Sequence, residues 1–234
     1  MRRAAAKYIL ELTVFVCGAV VMTYEIIGSR IVSPFIGTST YVWTSLIGVI
    51  LASLSFGYWL GGRLADRRPE VGVLASVIFV AGGLVSLTVL IKEVVLTAVV
   101  AIPVGLELQS VIAALSLFAP ASVALGFVTP YAVKLKMLSL NDAGKTVGRL
   151  YALSTVGSIA GTFAAGFFLI PFVGSVRTLY LLAAVLIVLA LSLAPIAMLQ
   201  AKAGVIILLL LAIAANEASS FYLWRTAEFR DVDT

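Results

Sequence analysis

The sequence predicts an all-α polytopic transmembrane helix bundle of about seven spans with its N-terminus in the cytoplasm, and three observations predict it. Composition is the first: 62% of the 234 residues are hydrophobic and 12% are charged, against about 45–50% and 25% in a soluble domain. The second is a series of apolar runs, each near the roughly 20 residues that a helix needs to cross the hydrocarbon. The third is the placement of Lys and Arg, which crowd into alternate connections between those runs.

The first span is predicted at 8–33. It follows a basic start, MRRAAAK, as a signal peptide does, but its apolar run outlasts the usual 7 to 15 residues, so it reads as a retained helix. Further spans follow at 40–62, 71–91, 108–133, 150–171, 177–199 and 203–224, with a polar tail over 225–234. Between the third and fourth lies VVLTAVVAIPVGL, residues 94–106. It is apolar but too short to cross, and Pro103 and Gly105 interrupt it, so an interfacial or re-entrant element is predicted there.

With the N-terminus inside, the inner segments hold Arg2, Arg3, Lys7, Arg63, Arg67, Arg68, Lys134, Lys136, Lys145, Arg149 and Lys202. The outer ones keep Lys92, Arg177, Arg225 and Arg230, with Arg30 near an outer boundary. This bias fixes the predicted orientation and points to a multi-pass protein of the cell membrane, plasma or inner, with the lipid bilayer as its first partner. The formal charge of +5 is spread in short clusters rather than along one face, so no nucleic-acid partner is expected.

The chain has no histidine and one cysteine, Cys17. The usual zinc sites and the commonest general base are therefore missing, and no internal disulfide can form. No Ser-Lys or paired-Asp constellation stands at a convincing spacing either. No catalytic residue, metal or cofactor is expected.

In lipid, helices meet where small residues let backbones approach. Ser53, Gly57 and Gly61 recur every four residues, as do Gly157, Gly161 and Ala165, with Ser158, Thr162 and Gly166 on the neighbouring stripe. These are the predicted packing faces. Three carboxylates fall within or beside the spans, Glu25, Glu107 and Glu217, all in the predicted outer half. Glu25 shares a helix face with Gly18, Gly28 and Ser29, which directs it into the bundle. It is the leading candidate for an intramembrane cation or proton site, with a structural, protonated or hydrogen-bonded carboxyl as the plain alternative. Tyr24 beside it either donates a hydrogen bond or fills space. Arg30, about 140° around the helix from Glu25, reads as an anchor that snorkels to water. The pairs Lys92 with Glu93 and Lys7 with Glu11 read as solvated or interfacial charges.

The loop GGRLADRRP resembles the G-x-L-x-D-R signature of major facilitator transporters, with Gly62, Leu64, Asp66 and Arg67 in the matching positions and Arg63 between them. That resemblance implies an aspartate that caps a neighbouring helix and pairs with arginines. A broader one follows the order YEIIGSRIVSPFIGTS, GYWLGGRLADRRP, GFVTPYAVKL and GRLYALSTVGSIAGTFAAGFFLIPFVG. It is similar to the membrane domain that precedes the synthase domain in membrane-fused, spermidine-synthase-like proteins. The resemblance implies a role in polyamine chemistry and a soluble aminopropyltransferase-like domain or subunit as partner, truncated away or separately encoded. It assigns no catalytic residue here, because the glycine-rich nucleotide-binding sequence of such a domain does not occur. The alternative is a half-facilitator-like transporter or binding module for a polyamine or other organic cation, working as a homodimer, with Glu25, Glu107 and Glu217 lining an outward-opening cavity.

Overall fold

A computed structural model describes residues 2–137 and 143–193, with side chains from Tyr8 onward. Its elements are α1 (Arg2–Ile36), α2 (Thr40–Arg67), α3 (Val71–Val100), α4 (Leu106–Leu117), α5 (Ala119–Gly126), α6 (Val128–Lys136), α7 (Ala143–Ala164), which continues as a π-helical stretch (Ala165–Val173), and α8 (Ser175–Leu193). No strand occurs among the described residues. Five helices are long and apolar enough to cross a membrane, and a sixth crossing results if α4 and α5–α6, bent by 52°, form one span. The protein is an all-α, multi-pass membrane bundle. The span expected at 203–224, the tail at 225–234 and Glu217 lie outside the described residues.

The segment 94–106 is not a separate interfacial element. Nothing breaks the helix before Pro103, so α3 runs on to Val100, and only a short connection separates it from α4. At 1.5 Å per residue the 30 residues of α3 reach about 45 Å, longer than the roughly 30 Å hydrocarbon core. Lys92 and Glu93, paired at 2.8 Å, therefore sit on the last turns of a long helix. The first helix also outruns its expected end, passing Pro34 to stop at Gly37, whose φ of +94° suits glycine. Gly174, at φ +86°, makes the corresponding turn between the π-helical stretch and α8.

The fourth crossing is broken because Pro120 cannot donate its backbone nitrogen to the helix ladder. Beside the break, the Leu117 carbonyl is bonded from two other helices. Tyr24 of α1 donates to the Leu117 carbonyl at 3.1 Å, Thr88 of α3 reaches the same oxygen at 3.0 Å, and the two hydroxyls lie 2.8 Å apart. The Tyr24 ring also packs on Phe118, centroids 5.2 Å apart. Both side chains are almost fully buried, so this knot fixes α1, α3 and the break at the centre of the bundle.

Close helix contacts follow the small residues, and they occur twice. A Cβ on Gly157 would overlap the Phe15 carbonyl, and one on Gly161 would overlap the backbone of Ala19. Likewise a Cβ on Gly57 would overlap the Val123 carbonyl, and one on Gly61 the backbone of Phe127. Gly18 lies against Ser154 as Gly126 lies against Leu54. Residues of α2 thus correspond to residues of α7 one hundred positions on, and residues of α1 to residues of the fourth crossing 108 positions on. With α4–α6 counted as one crossing, two three-crossing units result among the described residues, and because each then holds an odd number of crossings the second is inverted relative to the first. Gly82 of α3 against Ala183 of α8 joins the third members of the two units. Two hydroxyls reinforce the α1–α7 seam: Thr23 donates to the Gly161 carbonyl at 3.1 Å and Ser158 to the Gly18 carbonyl at 3.2 Å. Gly166 differs from the expectation of a packing residue, for it is exposed with nothing within 4 Å of a Cβ built on it.

Gly157→Ala or Gly161→Ala is therefore expected to destabilise the bundle by about 1–3 kcal/mol through overpacking against immovable backbone. Gly166→Ala should be neutral. Thermal unfolding of the detergent-solubilised variants, followed by helical circular dichroism, separates the two classes.

Candidate functional site

Polar chemistry gathers in two places, one at the bundle end shared by the start of α1, the end of α2, the end of α6 and the start of α7, and one midway along α1. The first is called the basic end below. Here α6, only nine residues long, reaches three other elements. Its Lys136 pairs with Glu11 of α1, and Arg149 of α7 binds the other oxygen of the same carboxylate at 2.9 Å. Glu11 is only 8% exposed, so it is a buried anion held by two cations. Its sequence reading as a solvated or interfacial charge is corrected: Glu11 has moved off the surface because Lys136 and Arg149, remote in sequence, converge on it.

Further contacts tie α6 to the end of α2 and to the connection between α2 and α3. Lys134 pairs with Asp66 at 2.6 Å on the surface. Tyr131 donates its hydroxyl proton to the Arg68 carbonyl and accepts from the Glu70 N–H at 3.3 Å. The loop motif thus works differently from the facilitator pattern. Asp66 pairs with a lysine of α6 rather than with arginines, and α3 begins at Val71 with Glu70 as its N-cap residue and no side-chain cap. Gly62 faces open space. Arg63 lies over the Trp59 ring, 4.0 Å from its centroid, and Arg67 is exposed at the end of α2.

Midway along α1, Glu25 is half-buried and makes no hydrogen bond or ion pair with any described residue. Its companions on the same face are engaged: Gly18 against Ser154 of α7, and Gly28 against Leu46 of α2 and Phe118. The carboxylate therefore lies on the stripe of α1 that runs from its contact with α7 to its contacts with α2 and the fourth crossing. Tyr24 does not join it, since the tyrosine hydroxyl is engaged at the Leu117 carbonyl. Glu107 is exposed in the first turn of α4, its carboxylate folded back toward Gly105. Arg30 is exposed near the far end of α1, as a snorkelling anchor would be. Among the described residues no group of three or more His, Cys, Asp or Glu could hold a metal ion.

The signals that sequence reasoning missed are long-range ones. Lys136 and Arg149 bracket one basic connection and were legible as topology markers, but nothing local shows that both turn toward Glu11. Tyr131, within GFVTPYAVKL, gives no local sign that it reaches the backbone of another loop. No family model, curated protein or solved structure matches the chain.

Removing one member of a buried ion cluster leaves charge uncompensated, at a cost of about 3–5 kcal/mol, whereas an exposed pair contributes about 0–1 kcal/mol. Glu11→Gln is accordingly expected to lower the unfolding midpoint in denaturant clearly, and Asp66→Asn to leave it nearly unchanged. Equal effects of the two substitutions would contradict the difference in burial.

Proposed function

We propose that this chain is the membrane module of a spermidine-synthase-like protein and that it acts as a half-facilitator-like binding unit for an organic cation, a polyamine in the first instance. The observation that carries the cation-binding part is Glu25, a carboxylate within a crossing helix that has no partner among the described residues. An ionisable group in that position is expensive in lipid and is tolerated where it meets a cation, a proton or water. The Glu11 carboxylate, by contrast, is neutralised by two cations. Glu25 has its charge to offer.

A polyamine suits such a site physically. Its ammonium groups supply hydrogen-bond donors to the carboxylate, and its methylene stems tolerate the apolar walls of a helix bundle. The inverted pair of three-crossing units supports the half-facilitator reading, in which two copies assemble around the substrate path. The anchoring part of the proposal, a soluble aminopropyltransferase-type domain held at the membrane by this bundle, rests on the resemblance of four sequence stretches to those of the synthase-like family. In this reading the basic end faces the cytoplasm of a plasma or inner membrane, and a separately encoded synthase subunit docked there, rather than a domain following the outer tail, would find its soluble substrates.

Spermidine binding to the purified chain, measured by equilibrium dialysis with labelled ligand, tests the site. Glu25→Gln is expected to weaken binding about 10- to 100-fold, the loss of one charge-assisted hydrogen bond of roughly 1.5–3 kcal/mol, while Glu107→Gln leaves it nearly intact. Wild-type affinity in Glu25→Gln would reject the cation site and leave the anchoring role to stand on its motifs alone.

A further inference from the structure

The inner face of the basic end is cross-linked by the ion pairs described above, but its outer face carries a different arrangement. Phe56, Trp59, Arg63 and Arg67 succeed one another at three- and four-residue steps and so form one stripe along the last turns of α2. All four are exposed. The rings of Phe56 and Trp59 stack with centroids 5.8 Å apart, and the Arg63 guanidinium is held over the Trp59 ring at 4.0 Å. Arg68 is exposed one residue beyond the helix.

The neighbouring acid does not neutralise these groups. Asp66 lies between Arg63 and Arg67 in sequence, yet its carboxylate is engaged by Lys134 of α6. The Glu70 backbone is engaged by Tyr131, and its carboxylate forms no ion pair among the described residues. Arg63, Arg67 and Arg68 likewise form no ion pair with a described carboxylate. Two apolar rings on the membrane side, followed by guanidinium groups toward water, match the order of acyl chain and phosphate in a phospholipid. Arginine adds the planar fork that grips a phosphate through two hydrogen bonds at once.

We infer that this stripe is a binding surface for an anionic phospholipid headgroup, with Trp59 against the upper acyl chain and Arg63, Arg67 and Arg68 around the phosphate. The Arg63–Trp59 contact orders one guanidinium before the lipid arrives. Diverting Asp66 to Lys134 leaves the surface cationic, so the pairing on the inner face and the lipid contact on the outer face are two uses of the same loop.

The test uses Trp59 as reporter, in the full chain carrying Trp43→Phe and Trp224→Phe and reconstituted into phosphatidylcholine vesicles. Replacing part of the lipid with brominated phosphatidylglycerol or brominated phosphatidylcholine quenches Trp59 in proportion to occupancy. Phosphatidylglycerol is expected to be favoured by at least about fivefold at low salt, the effect of roughly one cation at an anionic surface, and the preference should shrink at high salt. Arg63→Gln with Arg67→Gln and Arg68→Gln should bring the ratio close to one. The corresponding triple Lys variant should keep most of it, and Arg30→Gln at the opposite end should keep all of it. Equal quenching by the two lipids in the parent, a preference that survives the triple Gln variant, or its loss in the triple Lys variant or in Arg30→Gln would overturn the assignment.

Discussion

Backbone contact between helices is the constraint on which this bundle depends. Lipid tails are as apolar as leucine side chains, so burying apolar surface adds little drive once the helices are in the membrane. Association must come from close packing, and glycines provide it: Gly57, Gly61 and Gly126 where α2 meets the fourth crossing, Gly18, Gly157 and Gly161 where α7 meets α1, and Gly82 where α3 meets α8. The seams admit no side chain. Everything else is positioned by them, including the hydroxyls of Thr23 and Ser158, which reach carbonyls across the α1–α7 seam only because the backbones touch.

The polar groups divide the labour that remains. At the centre, Tyr24 and Thr88 bond the Leu117 carbonyl at the break beside Pro120, so the bent crossing is held by hydroxyls from two other helices. At the basic end, the short helix α6 ties α1, the end of α2 and the α2–α3 connection through Lys136, Lys134 and Tyr131, and Glu11 of α1 carries the link on to Arg149 of α7. Glu25 stands apart from both groups, and its isolation sets it apart from Glu11 more than its depth does.

Much of the fold was legible because its causes are local. Hydropathy and cation placement located the crossings, and the four-residue spacing of small residues named the helix faces that do meet. The fourth crossing is where local reasoning stopped short. The run at 108–133 reads as one continuous span, but it bends at Pro120, where Tyr24 and Thr88 arrive from other helices to bond the Leu117 carbonyl. The same limit explains Glu11: a carboxylate four residues from Lys7 looks like a surface pair until two more distant cations turn toward it. For α3 the reason is different, since a proline was weighted as an interruption of the whole segment when it stops the helix only locally. The correspondence between Gly57–Gly61 and Gly157–Gly161 was present in the sequence as two matching stripes. Its meaning needed the partners, Val123 and Phe127 on one side, Phe15 and Ala19 on the other.

The buried cluster at the basic end also has a history in time. Glu11 leaves the ribosome 125 residues before Lys136 and 138 before Arg149. At about 5–20 residues per second, the carboxylate waits on the order of 6 to 28 seconds for its cations. During that interval Glu11 lacks both of its cations, and the part of α1 around Gly18 lacks the α7 backbone that it packs against. Its final placement is set by the synthesis of α7, and the first crossing to be made is among the last to be finished.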